Sequence, residues 1–244
     1  MKKSPAFVIW GILCGLFLHS IPLNAQYSQG TTGLLNTPTA EMQPDGTFMA
    51  GANFLPETML PEYWDYNSGN YFLNITFLSF FEVAYRCTFI RHDYGNGNQW
   101  QQDRSVSLRL RALKESRYLP ALLLGSNDAF TTSQVNMFKD SGGNRFFSSV
   151  YGVATKHFDW GGEWGMTLGY MIPFHSKVER EGLFGGLSYS PSFLPEGKGM
   201  LEYDTESVNI GVSYRLFRHL SIHAFAYNFE AFSGGIRYEF TLIK

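Results

Sequence analysis

Phe232-Ser233-Gly234-Gly235-Ile236-Arg237-Tyr238-Glu239-Phe240-Thr241-Leu242 sets an apolar series (Phe232, Gly234, Ile236, Tyr238, Phe240, Leu242) against a polar one (Ser233, Gly235, Arg237, Glu239, Thr241). Period two marks a strand whose faces meet two different environments. Ser233, Gly235, Tyr238 and Phe240 also fit a polar-x-Gly-x-x-aromatic-x-aromatic spacing that closes many bacterial outer-membrane barrels and serves as their barrel-assembly signal. The stretch predicts an all-β chain: an antiparallel transmembrane β-barrel in the cell outer membrane of a Gram-negative bacterium. Its first partners are then outer-membrane lipid and the barrel-assembly machinery.

The other end supplies an export signal. Lys2 and Lys3 make a charged start, residues 7–18 are apolar but short for a spanning helix, and Leu23-Asn24-Ala25 offers a small residue for cleavage before Gln26. Cys14 follows Gly11-Ile12-Leu13, which lacks the small residue expected before a lipidated cysteine. The expected division is a signal peptide over 1–25, a periplasmic lead or luminal plug over 26–46, and the barrel over 47–244. Cys87 is then the one mature cysteine, so no internal disulfide forms.

Net charge is −2, which gives no nucleic-acid footprint. The 22 Phe, 14 Tyr and 25 Gly suit aromatic girdles and curved strands. After residue 25 no apolar run approaches the ~20 residues a membrane helix needs, so any crossing is by strands.

Alternation between turn signals predicts strands at Thr47–Phe54, Tyr71–Leu78, Phe81–Arg91, Arg104–Leu113, Leu119–Asn127, Phe146–His157, Glu163–Met171, Leu183–Ser190, Met200–Asp204, Val208–Phe217, Leu220–Tyr227 and Phe232–Leu242. About twelve strands at ~18 residues per strand and turn use up the mature length and leave no second domain. Pro56–Asn70, His92–Asp103 and Lys177–Gly182 suit outer connections. Ser79-Phe80, Lys114–Tyr118 and Phe158–Gly162 suit periplasmic turns. Asp128–Arg145 and Pro191–Gly199 fit either group, which leaves the register open there.

The polar faces must point inward, because Arg or Lys on the lipid side costs roughly 2–4 kcal/mol at mid-membrane. Arg86, Arg109, Arg111, Arg215 and Arg237 then line the lumen, with Glu82, Glu202, Asp204 and Glu239 as available partners. Two compatible readings follow: a salt-bridge lattice that fills a narrow barrel, or a charged ring that guides an anionic polymer. Neither the six His nor any Ser motif forms a recognisable metal or nucleophile spacing, so no catalytic residue, metal or cofactor is expected.

Four spaced stretches resemble the YjbH family of exopolysaccharide-associated outer-membrane barrels. They are Leu34-Leu35-Asn36-Thr37-Pro38-Thr39-Ala40 with Pro44-Asp45-Gly46; Asp103-Arg104-Ser105; Arg117-Tyr118-Leu119-Pro120-Ala121 with Gly125-Ser126-Asn127-Asp128; and Ser149 through Lys156, reading SVYGVATK. The resemblance implies a non-enzymatic barrel that serves export or assembly of an extracellular or capsular polysaccharide, alongside other proteins of the same locus. Many relatives are longer, whereas this chain carries one barrel. An acidic polysaccharide is the expected lumen ligand. The alternatives are an adhesive protein that binds partners through loops such as Pro56–Asn70, with Tyr63, Trp64 and Tyr66, or an outer-membrane lipid or glycan hydrolase.

Overall fold

A computed structural model of the protein describes residues 27–61, 64–93, 98–131, 146–174 and 180–242. The expected signal peptide, Tyr63 and His175 lie outside the described residues. Twelve strands form: β1 (Thr47–Leu55), β2 (Ser68–Phe77), β3 (Phe81–Asp93), β4 (Asn98–Leu113), β5 (Ala121–Thr131), β6 (Ser149–Asp159), β7 (Gly162–Pro173), β8 (Gly182–Pro191), β9 (Gly197–Tyr203), β10 (Val208–Phe217), β11 (Leu220–Tyr227) and β12 (Ala231–Thr241). Each pairs antiparallel with its sequence neighbours, and β12 returns to β1 from Thr47↔Thr241 to Phe54↔Gly234, which closes the barrel. Among the described residues no edge strand is left with unpaired backbone.

Burial alternates with the sequence pattern. On β10, Asn209, Ser213 and Arg215 are buried inside, while Val208, Ile210, Val212 and Tyr214 are exposed outside. On β3, Glu82, Ala84, Arg86 and Thr88 face inward. On β12 the inward series includes Ser233, Arg237 and Glu239, and the outward one Ile236 and Tyr238. The outer wall is an apolar belt that also includes Leu168, Leu183 and Leu201.

Connections after odd strands gather at one end, the loop end, and those after even strands at the other, the turn end. The segment 192–196 is therefore a turn-end connection, and β5 joins β6 at the loop end. Two expectations need correction. His92–Asp103 is mostly strand, since β3 and β4 stay paired through Asp93↔Asn98. There the ribbon rises beyond the apolar belt, where a strand needs no alternation. β5 also continues past Asn127 to Thr131 through a bulge: Val106 pairs Phe130 but Leu108 pairs Ser126. Asp128 takes a left-handed φ of 47° within it, and the bulge turns its carboxylate into the lumen.

Residues 27–46 form no strand of the wall. Gly30, at φ 86°, packs against Phe72, where a Cβ would lie 2.6 Å from the Phe72 Cβ. Gly33 bridges Pro38, making 34–37 a tight turn closed by Leu34 N–H donating to Thr37 O. Partners of this segment lie on β1, β2, β3, β4, β6 and β9, and only the interior of the barrel touches all of these. The segment thus lies inside the barrel and fills its lumen as a plug.

Cys87 gives a check on the register. Its side chain is fully buried between Tyr71 on β2 and Arg104 on β4. The folded barrel should leave Cys87 unreactive to a maleimide and release it on denaturation; rapid labelling of the native protein would mean that this pairing is wrong.

Candidate functional site

The plug runs the length of the lumen. Tyr27 lies near Arg180 at the loop end, and Gly46 N–H donates to Thr76 O at the turn end. Near its middle, two buried carboxylates grip it. Glu202 on β9 accepts from Leu35 N–H at 3.0 Å, Asn36 N–H at 2.6 Å and the Thr37 hydroxyl at 2.8 Å. Glu82 on β3 accepts from Thr32 N–H at 2.9 Å. In the closed order of twelve strands, β3 and β9 are six steps apart in either direction, so the carboxylates face each other across the bore. Thr155 on β6 takes Ala40 N–H at 2.9 Å, a quarter turn from both. Asn53 and Asn70 both donate to Ser28 O, and Asn74 to Gly30 O.

The arginines complete this lattice. Arg109 Nη1 lies 2.6 Å from Glu82 Oε2, and its Nη2 donates to the plug carbonyls of Thr39 and Glu41. Arg86 Nη2 lies 2.8 Å from Asp128 Oδ1 and 3.9 Å from Asp103 Oδ2. Arg215 and Arg237 share Glu239, Arg237 at 3.1 Å. Arg111 differs: it is half-buried at the turn end and donates to Ser79 O of the β2–β3 turn. Four of the five arginines thus sit buried against carboxylates, and Arg109 also hydrogen-bonds the plug directly.

Apolar contacts reinforce the grip. Leu34 and Leu35 enter a cluster with Met200, Phe225 and Tyr227, while Ala40 and Met42 pack among Leu123, Tyr151 and Phe184. Gly186 on β8 leaves room for Leu34, whose Cδ1 would lie 2.7 Å from an added Cβ. Trp64 and Tyr66 also bury in the first cluster, so these loop aromatics are not displayed outward as an adhesive reading expects.

Toward the turn end Glu41 forms a lower latch. Its Oε1 lies 3.0 Å from His157 Nε2 and 3.8 Å from Lys198 Nζ, and His157 Nδ1 meets Glu115 at 2.6 Å. Burial alone would raise the Glu41 carboxyl, but the Lys198 charge and the hydrogen bonds from His157 and Thr39 outweigh it and hold the group at about 2. A carboxylate depressed in this way contributes fully above its ordinary range near 4.5 and loses the contribution only as pH falls toward 2. Glu41, His157 and Lys198 are absent from the lumen residues that sequence reasoning picked out, and Asp128 entered only through a family-like stretch, because their partners lie far away in the sequence.

Above the plug lies an outer chamber of about 630 Å³. Tyr27 and Gln29 of the plug line it, together with Phe146, Phe147, Arg180 and Tyr227 from the loop end of the wall.

A closed twelve-strand barrel with an apolar outer wall and a self-plugged polar lumen is the class of protein that fold and site define. The family model for YjbH, described as exopolysaccharide biosynthesis protein YbjH, matches residues 25–242, and the chain belongs to this family. No curated protein matches the sequence. The resemblant stretches map onto the lattice: Asn36 and Thr37 are bound by Glu202, Asp103 and Asp128 flank Arg86, and Thr155 holds Ala40.

Thr39 is buried inside the plug and offers a reporter of its release. In a Thr39→Cys protein with Cys87→Ser, maleimide labelling should be slow. Adding Glu82→Ala and Glu202→Ala should speed it by about tenfold or more, given ~1.5–3 kcal/mol for each hydrogen bond to a charged group, while the barrel stays heat-modifiable on a gel. Equal labelling rates with and without the carboxylates would show that they do not hold the plug.

Proposed function

We propose that the protein is a non-enzymatic outer-membrane component of exopolysaccharide export or assembly, whose barrel rests closed by its own N-terminal segment. The observation that carries this reading is the plug gripped from opposite walls by Glu82 and Glu202. Family membership supplies the polysaccharide association. The apolar belt suits insertion in an outer membrane with both faces of each strand satisfied, one by lipid and one by the lumen.

In this reading the arginines act first as wall and plug clamps. They meet an acidic glycan only after residues 27–43 have withdrawn, since Arg109 spends both terminal nitrogens in three bonds, to the Thr39 and Glu41 carbonyls and to Glu82. Withdrawal would expose Arg109, Glu82 and Glu202 together, a surface of mixed charge and not a purely cationic ring. Other proteins of the polysaccharide locus are the natural agents of withdrawal, because the plug's many contacts disfavour spontaneous release.

In planar bilayers the refolded protein should be non-conducting, and the Glu82→Ala, Glu202→Ala variant should show open events. Steady conductance of the unaltered protein would remove the closed-barrel reading. In cells, deletion of the gene should lower surface exopolysaccharide, and Arg109→Gln with Arg237→Gln should lower it while leaving barrel insertion intact. Normal polysaccharide after gene deletion would remove the export role.

A further inference from the structure

The outer chamber has features that plugging the lumen does not require. Its rings are fixed in place before any ligand arrives: Phe146 packs edge-on against Trp64 at 4.8 Å between centroids, and the Arg86 guanidinium sits 4.4 Å from the Phe147 ring centroid. Its floor is the top of the plug, where Gln29 is buried and its Oε1 accepts no hydrogen bond among the described residues. Asn127 at the wall is in the same position at Oδ1, although its amide nitrogen donates to Tyr27 and Ser149. Both orphan atoms are carbonyl acceptors on chamber-lining side chains, and buried acceptors of this kind call for an O–H or N–H donor.

Charge narrows the ligand further. Among the described lining residues the ionised groups are Arg180, Glu206 and Glu230. Arg180 is already committed, with Nε 3.3 Å from Glu206 and Nη1 3.9 Å from Asp204. Among the described lining residues a polyanion finds no unengaged cation and faces two carboxylates beside one committed guanidinium. A hydroxyl-rich, uncharged ligand would find aromatic faces for its C–H surfaces and acceptors for its hydroxyls. The volume lies within the range of small-molecule sites, roughly 300–1,000 Å³, enough for a short run of sugar units.

We propose that the outer chamber is a binding site for an uncharged saccharide segment, held by Phe147 and Tyr227 with Gln29 and Asn127 as hydroxyl acceptors. The proposal rests on the exopolysaccharide reading above and adds where, and in which charge state, the polymer is first held. It differs from the expectation of an acidic ligand in the arginine-lined lumen below.

The probes are oligosaccharides hydrolysed from the exopolysaccharide of the producing cells, used as such and after chemical reduction of their carboxyl groups to alcohols. Binding to the protein in lipid nanodiscs is measured calorimetrically. Carboxyl-reduced fragments should bind at least as tightly as native ones, and Phe147→Ala should weaken binding by about tenfold, as expected for loss of one buried ring contact. Gln29→Leu, which keeps volume and removes the acceptor, should weaken binding in a protein of unchanged heat-modifiability. Absence of binding, preference for the unreduced acidic fragments, or affinity indifferent to both substitutions would overturn the proposal. Gene deletion separates the two ideas: lost polysaccharide with no chamber binding would leave the export role standing and remove this site alone.

Discussion

A buried polar group must find a partner, and a barrel wall cannot supply one across its own bore. Strand alternation commits every second residue to the interior, and here that interior holds Glu82, Glu202, Asp204, Arg86, Arg109, Arg215 and Arg237. Neighbouring strands settle part of the demand, as Arg109 does for Glu82 and Asn209 for Glu202. The remainder falls to backbone groups of residues 27–46. Without them Glu202 would keep, among the described residues, only its hydrogen bond from Asn209, and the wall would be polar beyond what it can pair internally. Plug and wall are therefore one hydrogen-bonded unit, and the closed state follows from the composition of the lumen.

The same segment ties the two ends of the barrel together. Tyr27 and Gln29 form the floor of the outer chamber, while Glu41 is latched to His157 and Lys198 toward the turn end. Between them the chain is pinned by Glu202, Glu82 and Thr155 on three different sides. A displacement at either end has to break contacts at the middle before it reaches the other. Asp45 adds a last restraint by accepting Leu78 N–H, in a turn whose Leu78 and Ser79 both adopt left-handed φ.

Twelve strands and their inward faces were readable because lipid and lumen impose opposite chemistry on alternate residues, as Val208 through Phe217 illustrates. The signal fails wherever that contrast is missing. The β3–β4 ribbon beyond Arg91 and Asp103 has no apolar face to betray it, and at Leu122-Leu123-Leu124 the strand is legible but its inward face is not, because the plug makes both faces apolar. The β5 bulge was hidden because Asp128 adopts positive φ without a glycine to announce it. Arginine placement was legible by parity except at Arg111, which caps a turn. The carboxylate clamp was not legible, since it joins residues separated in sequence by 50 at Thr32–Glu82 and by 167 at Leu35–Glu202, and a segment without periodicity carries no mark of what it will touch.

How firmly the plug sits depends on what replaces it. If it left, water would enter the lumen and solvate Glu82, Glu202 and Arg109, so each lost hydrogen bond to these charged groups costs its net value of about 1.5–3 kcal/mol, not the larger penalty of a stranded charge. Apolar contacts receive no such relief. Leu34, Leu35 and Met42 are buried, and returning each to water costs about 1.5–3 kcal/mol. Three side chains thus weigh about as much as the three plug bonds to Glu202. The division of labour is that of a specific interface: the apolar anchors add affinity that water entry does not relieve, and the opposed carboxylates fix the one register in which 34–37 can lie. A partner that opens the barrel has to cover Leu34 and Leu35 as well as draw the segment out, and Gly186, which makes room for Leu34, marks the point on the wall where that affinity is concentrated.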